Sequence, residues 1–293
     1  MKRTFQYLRP KTLQEAFAFK AEYGARARCW AGGTDLMLLW DRKKADLDHC
    51  LDLTFVSALR YIEVEPERVR IGAMATLDDL DNASGIDAAM RAIGTTAKLM
   101  DTWQTRTIAT IGGNLCHAAP SGDLAPPLIA LDATARIGSA RGERRVPIDR
   151  FFLGVNKTVL DEDEILLEIA VPRIAHTGAS YKRIARTVVD IALVSSSAAL
   201  FCDGSGTILD ARVALGAVAP RPIRCPKSEA ILRGAKLNGD NEELFSEAGK
   251  VAAGESKPIS DIRASKEYRL EMCRILTRRA LEDCAGQLGG NAA

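Results

Sequence analysis

Hydrophobic and polar positions in the first part of the chain predict a small unit of alternating helices and strands. TLQE (12–15) has the form of a capping box, and apolar residues follow it at helical spacing up to Gly24, where a helix would end. ARCWA (27–31) is typical of a short strand, GGTD (32–35) of a tight turn and LMLLWDRKK (36–44) of a helix. We therefore expect a strand, a turn and a helix around the first pair of glycines.

The following stretch combines hairpin patterns with helical ones. Alternating runs around Pro66 predict a hairpin over 61–73, and a second hairpin is predicted over 134–148 with glycine at its turn. The other predicted elements are a helix starting at Thr76, an amphipathic helix over 86–100, an extended run over 106–111 and a strand over 164–172.

The pattern changes beyond Pro172. SYKRIAR (180–186) looks extended, and residues 192–218 predict two long strands around a glycine-rich turn. Residues 226–285 look mostly helical, and the final helix carries apolar residues at 270, 273, 276, 277 and 280 on one face. Because hairpins and helices do not alternate as β-α-β-α, we predict α+β domains rather than a doubly wound sheet.

These patterns divide the chain near 173–178, at Pro172 and Gly178. The expected domains are 1–175, with subdomains of about 1–55 and 56–175, then 176–286, and a disordered tail at 287–293.

Composition excludes several classes of protein. The net charge is +2 and aromatic residues make up 5%, which disfavours nucleic-acid binding. No apolar run is long enough for a membrane span and the N-terminus has no signal-peptide core, so the sequence predicts a cytoplasmic protein. The seven cysteines are at least eleven residues apart, which disfavours a local zinc or iron–sulfur site.

Two double-glycine segments carry the candidate chemistry: CWAGGTDL (29–36) and TIATIGGNLCHAAPSGDLAPPLIALDA (107–133). Glycine lets successive backbone amides point outward together, and such nests bind phosphate oxygens. A helix starting at Asp35 would add its dipole, and Asn114 offers both a donor and an acceptor. Asp123 could accept from a ribose hydroxyl or cap the helix that follows it.

Each of these residues also has an ordinary structural explanation. A double glycine is most often a turn, Asp123 a helix cap, His117 a packed or surface histidine and Cys116 a small buried residue. The chain has no G-x-G-x-x-G, no Walker loop, no G-x-S-x-G and no H-E-x-x-H, and it has three histidines. A cofactor would therefore have to supply the chemistry.

AGGTDL (31–36) and TIGGNLCHAAPSGDLAPPLIALDA (110–133) resemble the two FAD-binding motifs of the medium subunits of molybdenum hydroxylases. Segments 151–172, 181–200 and 260–281 resemble further stretches of that family in the same order. The resemblance implies a vanillyl-alcohol-oxidase-like (PCMH-type) FAD-binding domain of two subdomains, followed by a three-stranded sheet with a helical bundle. It also implies that FAD is bound non-covalently.

The resemblance carries roles over to particular residues. Arg28, Cys29, Trp30, Ala31, Gly32, Gly33, Thr34 and Asp35 would line the pyrophosphate, and Thr110, Ile111, Gly112, Gly113 and Asn114 would form a second phosphate and flavin loop. Asp123 would bind the ribose region, Leu166 would lie near the flavin and Lys182 would approach its ring. Many relatives have Asn where His117 stands, so its part in the cofactor site is open. The four-cysteine insertion of a related reductase subunit is absent, because only Cys116 and Cys202 fall between residues 51 and 224.

The family implies an electron-transfer subunit of a heterotrimer, in a dimer of heterotrimers. A large molybdopterin subunit would oxidise the substrate, a small subunit would relay electrons through [2Fe–2S] clusters, and the FAD here would pass them to an external acceptor. The alternatives are a self-sufficient FAD oxidase or reductase of the same superfold, and a flavin-free scaffold. The identity of the substrate and of the acceptor stays open.

Overall fold

The computed structural model describes residues 4–237 and 239–289. The N-terminal subdomain is a three-stranded parallel sheet of order β1-β3-β2. Its elements are β1 (Gln6–Leu8), α1 (Leu13–Tyr23), β2 (Ala27–Trp30), α2 (Leu36–Asp41) and β3 (His49–Asp52), with 3-10 turns at Gly24–Arg26 and Leu53–Phe55. Thr12 caps α1 and Gly24 ends it at a φ of 53°, as the sequence predicts.

The second subdomain contains a five-stranded antiparallel sheet of order β4-β5-β10-β6-β7 together with several helices. The strands are β4 (Ile62–Val64), β5 (Arg68–Gly72), β6 (Thr134–Ser139), β7 (Gly142–Pro147), a small pair β8 (Phe152–Gly154) and β9 (Lys157–Thr158), and β10 (Ile165–Pro172). The helices are α3 (Leu77–Asn82), α4 (Ala88–Lys98), α5 (Trp103–Arg106), α6 (Ile111–His117) and α7 (Ala125–Ala130), with 3-10 turns at Ser57–Leu59 and Ile148–Arg150. Both predicted hairpins and the predicted helix start at Thr76 are confirmed, and Thr76 with Asp79 forms a capping box.

The predicted extended run over 106–111 is wrong. Arg106 ends the short helix α5, Thr107 and Ile108 form a turn, and Ile111 begins helix α6. Thr110 is the N-cap of α6, because its hydroxyl accepts from the amide of Gly113. The second double glycine therefore lies in the first turn of a helix, not in a loop.

The C-terminal domain is a four-stranded antiparallel sheet of order β11-β12-β13-β14. Its elements are β11 (Thr177–Ile184), β12 (Val194–Cys202), β13 (Ile208–Gly216), β14 (Ile223–Arg224), α8 (Pro226–Leu232), α9 (Glu242–Glu255) and α10 (Lys266–Gly289). The short β14 adds a fourth strand to the expected three. Helix α10 extends to Gly289, so 287–289 are helical rather than part of the expected tail, while 290–293 lie outside the described residues.

The C-terminal sheet lies between two layers of helices. Helix α10 packs on one face of β11 and β12, and helices α4 and α7 of the second subdomain pack on the other. Ala179, Ala199, Phe201 and Ala214 belong to the same hydrophobic core as the second subdomain. Alternate residues of β11 thus face α10 or the second subdomain. No helix among the described residues is both long and apolar enough to cross a bilayer.

Candidate functional site

A cleft of about 830 Å³ brings most of the predicted site residues together. Its lining includes Arg28, Cys29, Ala31, Gly32, Gly33, Thr34, Asp35, Thr110, Gly112, Gly113, Asn114, His117, Asp123 and Leu166. Trp30, Ile111 and Lys182 do not line it. The two glycine motifs thus meet at one site, although eighty residues of sequence separate Gly32 from Gly112.

The first glycine motif has free backbone donors. The amides of Gly32, Gly33 and Thr34 donate to no acceptor within the described part of the chain. Gly33 has a φ of +70°, and an added Cβ there would lie 2.4 Å from the ring of Trp30. The loop therefore has the left-handed turn of an anion-binding nest, supported from behind by the Trp30 indole.

Gly32 is required for a different reason. A Cβ on Gly32 would lie 2.0 Å from the carbonyl oxygen of Ile108. Ile108 belongs to the second subdomain, so this glycine is where the backbones of the two subdomains touch. Its small size permits the subdomain contact rather than the approach of a ligand.

The second glycine motif differs from the expected phosphate loop, because its backbone donors are already used. The bonds are Ile111 N to Ala75 O at 3.0 Å, Gly112 N to Ala73 O at 2.9 Å, Gly113 N to Thr110 Oγ1 at 3.0 Å and Asn114 N to Thr110 O at 3.0 Å. Ile111 is fully buried in the core. This motif offers a side chain instead: the buried Oδ1 of Asn114 has no partner among the described residues.

The glycines of the second motif also have separate roles. A Cβ on Gly112 would lie 2.5 Å from the carbonyl oxygen of Ala73, so Gly112 is required by packing. A Cβ on Gly113 would meet only Thr110 Oγ1 at 3.1 Å and Ala31 Cβ at 3.9 Å. Gly113 therefore lies at the open boundary between the two motifs.

His117 and Asp35 connect the two motifs across the cleft. His117 Nε2 lies 3.7 Å from Asp35 Oδ1, and the carbonyl of His117 accepts from Asn156 Nδ2 at 2.8 Å. Asp35 is the first residue before helix α2, as predicted, but its side chain makes no capping bond. The His117 side chain thus lies beside a carboxylate of the opposite wall.

Asp123 is a buried member of a charged cluster, although the surrounding sequence shows no cation. Its Oδ2 accepts from Arg183 Nη1 at 3.0 Å, and its Oδ1 accepts from the Tyr181 hydroxyl. It makes no cap to helix α7, which was one of its two predicted roles. Burial raises the pKa of the Asp123 carboxyl, while Arg183 and Tyr181 act to lower it. Burial, together with Asp123, raises the pKa of Tyr181 well above its usual value.

Lys182 lies on the wrong face of β11 for the role that the resemblance implies. Its Nζ lies 2.5 Å from Asp283 Oδ2 on helix α10. Its neighbours Tyr181 and Arg183 point the other way, and Arg183 lines the cleft. Two-residue alternation along the strand indicates that these neighbours share a face, but it does not indicate which face meets the cleft.

Sequence reasoning also missed a segment of the cleft wall. Val189, Asp190 and Ile191 line it from the connection between β11 and β12. No local pattern in this segment signals a ligand, because its position depends on contacts with distant residues.

Cys29 and Cys116 line the same cleft. Cys116 is exposed, so the expectation of a small buried residue is wrong at this position. Within residues 4–237 and 239–289, no three His, Cys, Asp or Glu side chains are placed to hold a metal ion.

Comparison with known proteins matches both parts of the chain. Residues 3–174 match the FAD binding domain in molybdopterin dehydrogenase, and residues 179–284 match the CO dehydrogenase flavoprotein C-terminal domain. The chain is 32% identical to the carbon monoxide dehydrogenase medium chain of Hydrogenophaga pseudoflava, over 94% of this chain and 96% of that one. It is 33% identical to the xanthine dehydrogenase FAD-binding subunit of Escherichia coli O157:H7, over 97% of each.

A solved structure agrees with these matches. Carbon monoxide dehydrogenase from Hydrogenophaga pseudoflava, in a form lacking the Mo-pyranopterin moiety of its cofactor, superposes with a TM-score of 0.92 at 32% identity. The match covers 98% of this chain and 99% of that one. This chain therefore belongs to the FAD-binding oxidoreductase subunits of the molybdopterin dehydrogenase family.

Proposed function

We propose that this chain carries non-covalently bound FAD and transfers electrons within a heterotrimeric molybdenum hydroxylase. It receives electrons from the [2Fe–2S] clusters of a small subunit and delivers them to an external acceptor, while a large molybdopterin subunit oxidises the substrate. The observation that carries the proposal is the cleft in which both family motifs meet, with unused donors in one motif and an unpaired amide oxygen in the other.

The residues of the cleft fit FAD. A volume of about 830 Å³ is within the usual range for cofactor sites. The free amides of Gly32, Gly33 and Thr34 would hold the pyrophosphate, since backbone donors in a nest bind phosphate oxygens. Asn114 Oδ1 is a buried acceptor, and leaving such an atom unpaired costs free energy that a bound donor would recover. Bound FAD would supply the capacity to accept and release electrons.

The remaining cleft residues would shape the flavin surroundings. Leu166 contributes an apolar wall, and Asp123 is fixed by Arg183 and Tyr181. His117 and Asp35 lie beside each other where the two motifs meet. Lys182 has no part in the proposal, because its ammonium group is paired with Asp283 on another face.

The partner subunits are inferred from the relatives. The curated relatives carry the names medium chain and FAD-binding subunit, and this chain spans almost the full length of each. We therefore place the molybdenum and iron–sulfur centres on separate chains, in a dimer of heterotrimers.

The test uses the purified chain loaded with FAD. Dithionite should reduce the flavin, and a quinone, a dye or O₂ should reoxidise it. Anaerobic mixing with purines, N-heterocycles or aldehydes should leave the flavin absorption unchanged until the molybdenum and iron–sulfur subunits are added. Rapid bleaching by one of these substrates without partners would favour a self-sufficient oxidase instead.

The same preparation tests the mode of FAD attachment. Acid precipitation should release the yellow colour into the supernatant, as expected for a non-covalently bound cofactor. Colour retained in the pellet would indicate a covalent link and contradict the proposal on this point.

A further inference from the structure

The connection between β11 and β12 forms one wall of the cleft without regular secondary structure of its own. This segment, residues 185–192, contributes Val189, Asp190 and Ile191 to the lining. It leaves apolar side chains in solvent: Val188 is 83% exposed and Val189 53%. Apart from Ala192 at its end, which is buried, apolar burial therefore does little to hold the segment in place, and other contacts must do so.

Arg183 supplies such contacts through its Nη2, while its Nη1 binds Asp123. Its Nη1 donates to Asp123 Oδ2 at 3.0 Å, and its Nη2 donates to the carbonyl of Val188 at 3.1 Å and to that of Asp190 at 2.7 Å. In the described part of the chain, no other side chain donates to these two carbonyls. The guanidinium thus joins the segment to Asp123 of the second subdomain.

The Arg183 and Asp123 side chains are both buried and well fixed. The side chains of Arg183 and Asp123 are 6% and 9% exposed, and the Tyr181 hydroxyl holds the second oxygen of Asp123. Charge-assisted hydrogen bonds of buried groups are the strong ones, because water does not compete for them. The planar fork of arginine can bind a carboxylate and two carbonyls at once, which a lysine ammonium does less well.

The other polar contacts of the segment lie within it, whereas the Arg183 bonds, exposed at Val188 O and partly buried at Asp190 O, reach it from β11. Arg186 Nε lies 2.6 Å from Asp190 Oδ2, and the side chain of Arg186 is 51% exposed. The amide of Asp190 donates to the carbonyl of Thr187. These contacts shape the segment but do not attach it to the cleft.

We propose that Arg183 is a positioning residue that holds segment 185–192 against the cleft and so retains the cofactor there. The part concerning retention rests on the proposed function, in which the ligand is FAD. The role of Arg183 in holding the segment does not depend on FAD, because its contacts are within the chain itself.

Trypsin provides a direct test, because Arg186 lies within the segment and is exposed. Cleavage between Arg186 and Thr187 requires the segment to leave its place, and its rate follows the open population when opening is fast. Loss of the Arg183 contacts in Arg183→Gln should raise that rate by roughly tenfold or more. The digestion uses the full-length chain, and mass spectrometry of the products identifies the new N-terminus at Thr187.

Two further variants keep the test specific. Arg183→Lys preserves the charge beside Asp123 but loses the fork, so its cleavage should also be faster than that of the wild-type chain. Arg212→Gln is the matched control, because Arg212 is a mostly buried arginine that pairs with Asp132 and Asp210 outside the cleft. It should lower the melting temperature without accelerating cleavage after Arg186.

The outcome separates the two parts of the proposal. Equal cleavage rates in wild-type and Arg183→Gln chains, or equally fast cleavage in Arg212→Gln, would overturn the role of Arg183. FAD dissociation, followed by fluorescence, should be faster in Arg183→Gln, and an unchanged rate would remove the retention role. Failure of the wild-type chain to bind FAD would count against the proposed function, while the trypsin result would stand by itself.

Discussion

At the scale of single residues, the four motif glycines do three different things. Gly32 and Gly112 permit close backbone packing, Gly33 adopts a left-handed turn, and a side chain on Gly113 would enter the gap between Thr110 and Ala31. Identical residue types in similar motifs are thus required by different contacts, and substitutions at these positions should separate folding from FAD binding.

We expect Gly113→Val to abolish FAD binding while the chain stays folded. The new side chain would enter the space between Thr110 and Ala31, where both motifs border the cleft. Gly112→Val should instead destabilise the fold, because its Cβ would collide with the carbonyl of Ala73. Flavin occupancy and circular dichroism of the purified variants measure the two effects. Gly286→Val, in open space on α10, is the control.

Asn114→Ala should weaken FAD binding by about tenfold without lowering the stability of the FAD-free chain. The physical reason is that Oδ1 of Asn114 is buried and unpaired until a ligand donates to it. Fluorescence titration gives the affinity and thermal melting gives the stability. In contrast, Asn156→Ala should lower the melting temperature, because it removes the bond to His117 O and leaves alanine at a φ of 53°. A large stability loss in Asn114→Ala would contradict the proposed role.

At the scale of elements, Arg269 and Asp261 connect the start of α10 to the C-terminal sheet. Arg269 donates to the carbonyls of Leu193 and Ala217 and to Asp261 Oδ1. The amides of Arg263 and Ala264 also donate to Asp261. One carboxylate thereby organises the turn before the helix.

These bonds make stability depend on pH. The amide of Arg263, with the other donors, lowers the pKa of Asp261 from 3.8 to about 2. A pKa that is lower in the folded chain means that Asp261 stabilises the fold above pH 3.8 and loses that effect as pH falls toward 2. Asp261→Asn should therefore lower the melting temperature at about pH 6, and the difference from wild type should shrink in acid.

Glu271→Gln is a suitable control for that experiment, because Glu271 makes an exposed ion pair with Arg274 in the same helix. Its melting temperature should stay close to that of the wild-type chain. A difference between wild type and Asp261→Asn that does not change with pH would contradict the assignment.

At the scale of the whole molecule, one hydrophobic cluster spans the two matched domains, although the C-terminal domain also has a cluster of its own. Residues of β11, β12 and β13 pack with the helices of the second subdomain, and α4 and α7 cover one face of the C-terminal sheet. Arg183 and segment 185–192 complete the cleft from the C-terminal side. The division seen along the sequence is therefore not a division into independent units.

A fragment of residues 1–175 should consequently fail to bind FAD and should expose apolar surface. Removal of the C-terminal sheet uncovers α4 and α7 and deletes both partners of Asp123. Binding of the dye ANS and flavin occupancy, each compared with the full-length chain, measure these effects. A stable fragment that retains FAD would show that the cleft needs no C-terminal wall.

The sequence by itself determined the local structure and the family. Capping residues and periodicity located α1, α3, α4 and both hairpins, because these signals depend on neighbours a few positions apart. The two glycine motifs and the segments after them indicated the family, and the matches of both domains agree. Fourteen of the motif-derived site residues named above then proved to share one cleft.

Only the tertiary structure decided how those residues are used. Whether the amides of a glycine motif are free depends on acceptors such as Ala73 O and Ala75 O, which come from another part of the chain. Asp123 pairs with Arg183, which is sixty residues away in the sequence. The face of β11 that meets the cleft is set by the packing of helices α10 and α7. The local pattern of apolar and polar residues specifies an element and its two faces, but contacts between distant residues determine which face meets the ligand.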